Sequence, residues 1–282
     1  MIIYNFGFIL ILSDITAQME MTANNISDGL TTKKFGAKLF VFDTIDSTNT
    51  CARLLAECGS EEGTVVYAEE QSSGRGRLKR KWISEKGANL LFSIVFAPNI
   101  KERRYYLLPL LVSVCVVDGI KKEAPECPVI VKWPNDILLT GGEKIGGILT
   151  ELTHTYEDKL RIIVGVGLNV NQKKFPSELQ SIASSLYIAT GKEIDRVRLL
   201  HSILTEIESQ YESVTESPET IVDRWKSHCT MFEKPVRVTQ GAKIKTGICK
   251  DIDRDGALLI EDNKGKTYRI LAGDITSVAI NT

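Results

Sequence analysis

The order of strand-like and helix-like runs constrains this chain most. Regular structure begins at Lys38, and LFVFD (39–43) reads as a strand. Ser47-Thr48-Asn49 has the character of a helix start; Leu54, Leu55 and Cys58 follow at helical spacing before Gly59. TVVYAE (64–69) and ANLLFSIVFA (88–97) read as strands on either side of a long polar, basic loop at 71–87. A helix is predicted over 103–122, with Leu107, Leu108, Leu111 and Val114 on one face and Lys121 and Lys122 near its end. Four strands then follow without a helix between them: VIVKW (129–133), ended by Pro134, then DILLT (136–140), KIGGILTELT (144–153) and KLRIIVGVGLNVN (159–171). Gly141-Gly142 marks a hairpin between the second and third. Helices are predicted around 195–214 and 218–230.

This order does not alternate as βαβαβ. The Gly165-x-Gly167 pair lies late in a strand, with no third glycine and no helix after it, so a dinucleotide-binding reading fails. No G-x-x-x-x-G-K-[ST] run is present either. Near Pro235 the pattern changes to five short strands in about 48 residues, joined by tight polar turns, which is the signature of a small barrel. The expected fold is therefore α+β: a central mixed or antiparallel sheet with flanking helices over 38–232, then a small SH3-like β-barrel over 233–282.

Residues 1–37 are expected to be a loose extension. Residues 2–12 are apolar but too few to span a bilayer, Asn5 interrupts them, and no positive charge precedes them as in a secretory signal. They read as an accessory element or an early start codon, with Met19 and Met21 as alternative starts, and 13–37 as a polar linker.

Charge narrows the function classes. Lys and Arg number 35 against 36 Asp and Glu, a net charge of −1, so no global basic field would hold a polyanion. Any nucleotide or nucleic-acid site must come from a local cluster. The six cysteines form no C-x-x-C pair, which fits free thiols in a reducing cytoplasm. The three histidines include no H-E-x-x-H, so no dedicated transition-metal site is expected.

Four segments carry chemistry. In Gln71–Trp82, five basic residues follow Gly74. Gly74 and Gly76 would let the backbone approach a ligand and take positive φ, and Arg75, Arg77 and Arg80 could meet phosphate oxygens, with Trp82 as a stacking face. The bland alternative is a solvated basic face. Lys132-Trp133-Pro134-Asn135-Asp136 is either a proline turn or a rigid corner presenting an amide and a carboxylate to a metal-bound phosphate. Lys144 precedes the strand glycines 146 and 147, and is either a phosphate-neutralising cation or an edge-strand lysine. Gly165, Gly167 and Asn169 thin the last strand, for a ligand or for tight sheet packing.

Together these segments resemble the biotin–protein ligases, in the form without the N-terminal DNA-binding winged helix. The resemblance runs from Phe40 to the C-terminus, about 240 residues, and rests on Asp46-Ser47-Thr48-Asn49, Gly74-Arg-Gly-Arg-x-x-Arg-x-Trp82, Lys132-Trp-Pro-Asn-Asp136, Lys144-x-x-Gly-Ile-Leu149 and Gly165-x-Gly-x-Asn-Val170, all in the family's order. It implies the α+β ligase domain and the C-terminal barrel. It also implies a two-step reaction: biotin and Mg-ATP give biotinyl-5′-AMP, and a lysine of a biotin carboxyl carrier protein then takes the biotin.

The resemblance assigns biotin to Ser47, Thr48, Asn49 and Gln71, to loop residues Gly74, Arg75, Gly76 and Arg77, and to Lys144 and Gly147. It assigns ATP to Arg77, Arg80, Trp82, Asn135, Asp136, Lys144 and Asn169, with Mg2+ arriving with ATP near Asp136 and Asn169. Lys144 and Arg77 are the implied catalytic residues. Leu78 stands where some members have arginine, which bears on loop closure. Residues 1–37 show no helix-turn-helix pattern and no basic cluster, so no DNA partner is expected, and no membrane; the chain would be a cytoplasmic monomer or homodimer. The rival readings are a lipoate–protein ligase and a nucleic-acid module built on the 75–81 run.

Overall fold

The computed structural model describes residues 21–101 and 104–277. The expectations for residues 1–20 lie outside the described residues. The elements are α1 (Ala23–Ser27), β1 (Leu39–Ile45), α2 (Thr48–Glu57), β2 (Val65–Gln71), β3 (Leu90–Phe96), α3 (Leu107–Glu123), β4 (Val129–Lys132), β5 (Asp136–Leu139), β6 (Lys144–His154) and β7 (Leu160–Leu168). They continue with α4 (Leu186–Thr190), α5 (Arg196–Gln210), α6 (Ser213–Glu216), α7 (Pro218–Ser227), β8 (Pro235–Gln240), β9 (Lys243–Ile252), β10 (Leu258–Glu261), β11 (Thr267–Ile270) and β12 (Asp274–Ser277).

The first seven strands form one sheet in the order β1-β2-β3-β7-β6-β5-β4. Only β1 and β2 pair in parallel, joined through α2; the other pairs are antiparallel, so the sheet is mixed, as expected. The helices cover both faces. Ala52 and Ala56, four apart on α2, meet Val66, Val95 and Ile163 on one face. On the other, α3 packs with α5 and α7 over the larger core. Burial on both sides makes β3 apolar at six of its seven positions, and all seven are buried. The last five strands form an antiparallel sheet in the order β11-β10-β9-β8-β12, the small C-terminal barrel.

Two boundaries differ from the sequence reading for local reasons. The third helix starts at Leu107 rather than 103, which places Pro109 in its first turn, where a missing N–H costs nothing. The helix predicted over 195–214 stops at Gln210, and Ser213–Glu216 forms a separate short turn before Pro218 opens α7.

The loose linker expected at 13–37 is corrected over its described part. Residues 21–37 lie on the main domain, with Met21, Ile26 and Phe35 buried in the core. The backbone N–H groups of Lys33, Lys34 and Phe35 all donate to the Glu208 carboxylate on α5, at 2.7–3.0 Å. Three apolar anchors inside a polar stretch are easy to overlook by periodicity. No helix among the described residues is long and apolar enough to cross a membrane.

Candidate active site

A cavity of about 460 Å³ opens where β2, β4 and β7 end and where α2, β5 and β6 begin. Its floor is glycine. Gly147 on β6 lies directly across from Gly167 on β7, and the Trp82 indole rests on them. A Cβ on Gly167 would sit 2.6 Å from the Trp82 ring, so only glycine admits this contact. The Trp82 Nε1–H is buried there without a hydrogen-bond partner.

One wall is neutral and polar. Ser47 precedes α2, and the first N–H of that helix, on Thr48, donates to Gln71 Oε1 at 2.7 Å. The helix is thus capped by a side chain from the end of β2 rather than by Ser47 itself. Thr48 and Asn49 are buried although polar because both are hydrogen-bonded, Thr48 to Gln71 and Asn49 to Glu151 and Ser93.

The opposite wall is charged. Arg77, Arg80, Lys81, Lys132 and Lys144 line it, against the carboxylates of Asp136 and Asp274, while Arg75, also in the lining, turns to Thr50 and Glu151 beside α2. Lys144 Nζ lies 2.5 Å from Asp136 Oδ1 and 5.8 Å from the centre of the Trp82 ring. The Lys144 backbone is held on both sides, donating to Ile182 O at 2.8 Å and accepting from Ser184 N at 2.9 Å. Because β6 lies inside the sheet, the edge-strand alternative for Lys144 falls. The turn through the cis Trp133–Pro134 peptide presents Asn135, whose Nδ2 donates to Ile148 O at 2.7 Å and whose Oδ1 accepts from Arg77 at 3.1 Å. Asn169 is buried; its Nδ2 donates to Ser184 O at 3.0 Å, while its Oδ1 has no partner.

The basic loop is a small hairpin. Arg75 bridges Lys81, Gly76 N donates to Arg80 O at 2.7 Å and Trp82 N to Gly74 O at 3.0 Å. The expectation of positive φ at Gly74 and Gly76 is corrected: the left-handed positions are Leu78 (φ 53°) and Lys79 (φ 61°). Gly74 serves close approach instead, since a Cβ there would lie 2.7 Å from Trp82 O. Arg80 reaches Asp274 Oδ2 at 2.5 Å, and Arg77 reaches Gly273 O at 3.3 Å and Asp274 Oδ1 at 3.5 Å. The barrel therefore holds the tip of the hairpin. Trp133 makes a second tie, donating from Nε1 to Gly256 O at 3.1 Å.

This geometry has counterparts among known proteins. Residues 41–169 match the biotin/lipoate A/B protein ligase family, and residues 232–276 match the biotin protein ligase C-terminal domain. The bifunctional ligase/repressor BirA of Bacillus subtilis is 37% identical over 260 residues, covering 91% of this chain and 79% of that one. The biotin–[acetyl-CoA-carboxylase] ligase of Mycobacterium tuberculosis is 31% identical over 234 residues, 81% of this chain and 85% of that one. Among solved structures, the Aquifex aeolicus biotin protein ligase in complex with biotin and ATP superposes with a TM-score of 0.73 at 31% identity, covering 85% of this chain and 98% of that one. The chain belongs to the biotin protein ligase family.

Of the residues that the sequence singled out for this family's chemistry, the cavity brings together all but Gly74, which lies just behind Trp82. The resemblance assigns Trp82 to ATP and Gly147 to biotin; here the Trp82 ring lies over Gly147. Other lining residues escaped it: Phe175, Leu179, Ile182 and Ala183 from the segment after β7, and Asp274 and Ile275 from β12. No local pattern marks them, because they arrive through pairings made far along the chain. Within the 75–81 run, Arg77 and Arg80 pair with Asp274 and Arg75 with Glu151, while Lys79, Arg80 and Lys81 stay exposed. The lipoate reading gives way to the C-terminal match, which is to the biotin protein ligase C-terminal domain.

Proposed function

We infer that this chain activates biotin with ATP to biotinyl-5′-AMP and transfers the biotin to a lysine of a biotin carboxyl carrier protein. The observation that carries this reading is the two-sided cavity. The neutral wall suits a largely apolar, uncharged ring system, and five cations against two carboxylates suit a triphosphate. Lys144 Nζ lies beside both Asp136 and the Trp82 ring.

In the first step the biotin carboxylate attacks the α-phosphorus and pyrophosphate leaves. Both reactants are anions, so their approach is opposed by charge. Lys144 sits to neutralise that repulsion and the charge that grows on the phosphoryl oxygens. Its contact with Asp136 fixes the ammonium before substrate arrives. Arg77 and Arg80 meet the phosphates from the hairpin. In the second step the carrier's lysine amine attacks the acyl carbon and AMP leaves. The mixed anhydride is water-sensitive, and the hairpin, with Trp82 behind it, shields it.

Mg2+ would be held by Asp136 and Asn169. Both offer oxygen, the donor a hard cation prefers, and the buried Asn169 Oδ1 otherwise lacks a partner. The ion would supply charge neutralisation along the phosphates.

The chain is also proposed to act as a ligase without operator binding. Residues 21–37 pack onto the ligase core instead of forming a unit of their own. Specific, biotin-dependent retardation of biotin-operon DNA in a gel shift would refute this. A cytoplasmic setting accords with six cysteines that are all free thiols.

The principal experiment mixes protein, biotin, Mg-ATP and a carboxyl carrier domain, with lipoate as a competing acid, and reads the carrier by intact mass. Wild type should add biotin to one lysine and ignore lipoate. Lys144→Ala and Arg77→Ala should each slow the addition by about 10²–10³-fold, the usual loss for one charge-stabilising donor. An unmodified carrier beside folded protein would overturn the assignment.

A further inference from the structure

Glu151 lies on β6, on the same side of the strand as Gly147 and Leu149, and outside the cavity lining. One of its carboxylate oxygens, Oε2, serves two neighbours. Asn49 Nδ2 donates to it at 2.8 Å, and Arg75 donates from the hairpin at 3.3 Å. We propose that Glu151 is a positioning residue that sets the donor–acceptor polarity of the wall recognising the biotin ring system. This rests on the biotin-ligase reading above.

The argument follows the protons. Asn49 is buried, and its amide nitrogen faces two groups that can only accept: Glu151 Oε2 and Leu149 O, the latter at 3.3 Å. The amide is therefore pinned with its oxygen toward β3. Gly165 makes the room, because a Cβ there would lie 2.0 Å from Asn49 Oδ1. Ser93 Oγ is 2.6 Å from that oxygen and 2.8 Å from Thr48 Oγ1, yet it has one proton to give. Asn49 Oδ1 carries no hydrogen of its own, so Ser93 donates to it. Thr48 then donates its own hydroxyl proton to Ser93 Oγ, and Gln71 Oε1 lies at 3.1 Å. The Thr48 N–H donates to the same Gln71 oxygen at 2.7 Å. Gln71 is thus oriented with oxygen toward α2 and its amide nitrogen available to an acceptor on the ligand.

One carboxylate on β6 in this way orders Asn49, Ser93 and Thr48, from two other elements, beside the Gln71 that the Thr48 N–H fixes. A cyclic urea has one carbonyl acceptor and two N–H donors, and a wall of fixed polarity is what distinguishes it from an acid without that ring. Arg75, also bonded to Thr50 Oγ1 at 3.1 Å, ties the base of the hairpin to the same oxygen.

The test is a rescue experiment on biotin-dependent pyrophosphate release, with biotin and ATP varied separately and Tm measured for each protein. Asn49→Asp places an oxygen where Glu151 needs a donor. It should raise KM for biotin about tenfold or more while KM for ATP stays within about twofold, because a buried polar pair is broken on the biotin side alone. Glu151→Leu should do the same by removing the acceptor. Asn49→Asp combined with Glu151→Gln should restore KM for biotin to within about threefold of wild type, since the glutamine amide can donate to the new carboxylate and leave the Ser93 side an acceptor. A merely structural Glu151 would move Tm, or both KM values together, and would give no rescue. A double variant that fails to restore KM for biotin in an otherwise active protein overturns this inference alone. A wild type that releases no pyrophosphate with biotin overturns the ligase reading and this inference with it.

Discussion

Gly165 and Gly167 stand two residues apart on β7 and admit different side chains. The first makes room for the Asn49 amide, the second for the Trp82 indole. The strand glycines leave the sheet hydrogen bonds intact, with Gly165 paired to Ser93 and Leu149, and Gly167 to Leu91 and Gly147. Glycine therefore serves side-chain packing here. Gly167→Ala would place a methyl group 2.6 Å from the Trp82 ring, closer than any real contact. The small loop around Trp82 can give way more easily than the sheet, so the indole should leave the floor while the fold persists. Tryptophan emission should shift to the red, and KM for ATP should rise by about tenfold, as expected when a pocket contact is lost. An unchanged emission spectrum beside a normal KM would show that Trp82 does not depend on this floor.

At the scale of elements, the hairpin between β2 and β3 is held from two sides. Glu151 takes Arg75 at its base, and Asp274 on β12 takes Arg77 and Arg80 nearer its tip. The tip itself is strained, because Leu78 adopts a left-handed conformation that a branched side chain disfavours, and its side chain is exposed. A strained hairpin secured by exposed charges is suited to opening and closing. Asp274→Asn removes the charge without changing the shape. Since Arg80 is well exposed, global stability should fall by no more than about 1 kcal/mol. The effect on chemistry should be larger: AMP should appear without carrier at a rate several times that of wild type, as water reaches the adenylate. Thin-layer or mass detection of AMP in a carrier-free reaction reads this directly. Equal AMP formation in both proteins would remove the barrel from loop closure. Leu78→Gly should add stability of about 1 kcal/mol by relieving the backbone.

At the scale of the whole molecule, what the sequence made legible follows from the range of the interactions. The order β1 to β7, the helix at Thr48 and the five barrel strands rest on local periodicity and turn chemistry, and each appears near its expected bounds. The lining side chains of the motifs were legible because their neighbours in sequence are also their neighbours in the cavity. Asp274, Ile182 and Glu151 were not, because each acts on a residue more than thirty positions away. The segment 21–37 belongs to the same class: three buried apolar residues in a polar stretch have no period, and their partners lie on α5 and the sheet. This attachment is sensitive to pH. Burial pushes the Glu208 carboxyl up, but the hydrogen bonds from the Lys33, Phe35 and Lys34 backbones outweigh it and hold its pKa below the ordinary 4.5. A depressed folded-state pKa means that the ionised form is the stabilising one. Its contribution is fully present above the unfolded value and is lost as pH falls through the folded value. Glu208→Gln should therefore lower the urea midpoint at neutral pH, and the gap from wild type should narrow as pH drops below 4.5. Phe35→Ala should cost about 3–5 kcal/mol at either pH, because its burial carries no charge. A gap for Glu208→Gln that stays constant across the acid range would mean that the three N–H groups are held in place without the carboxylate's charge.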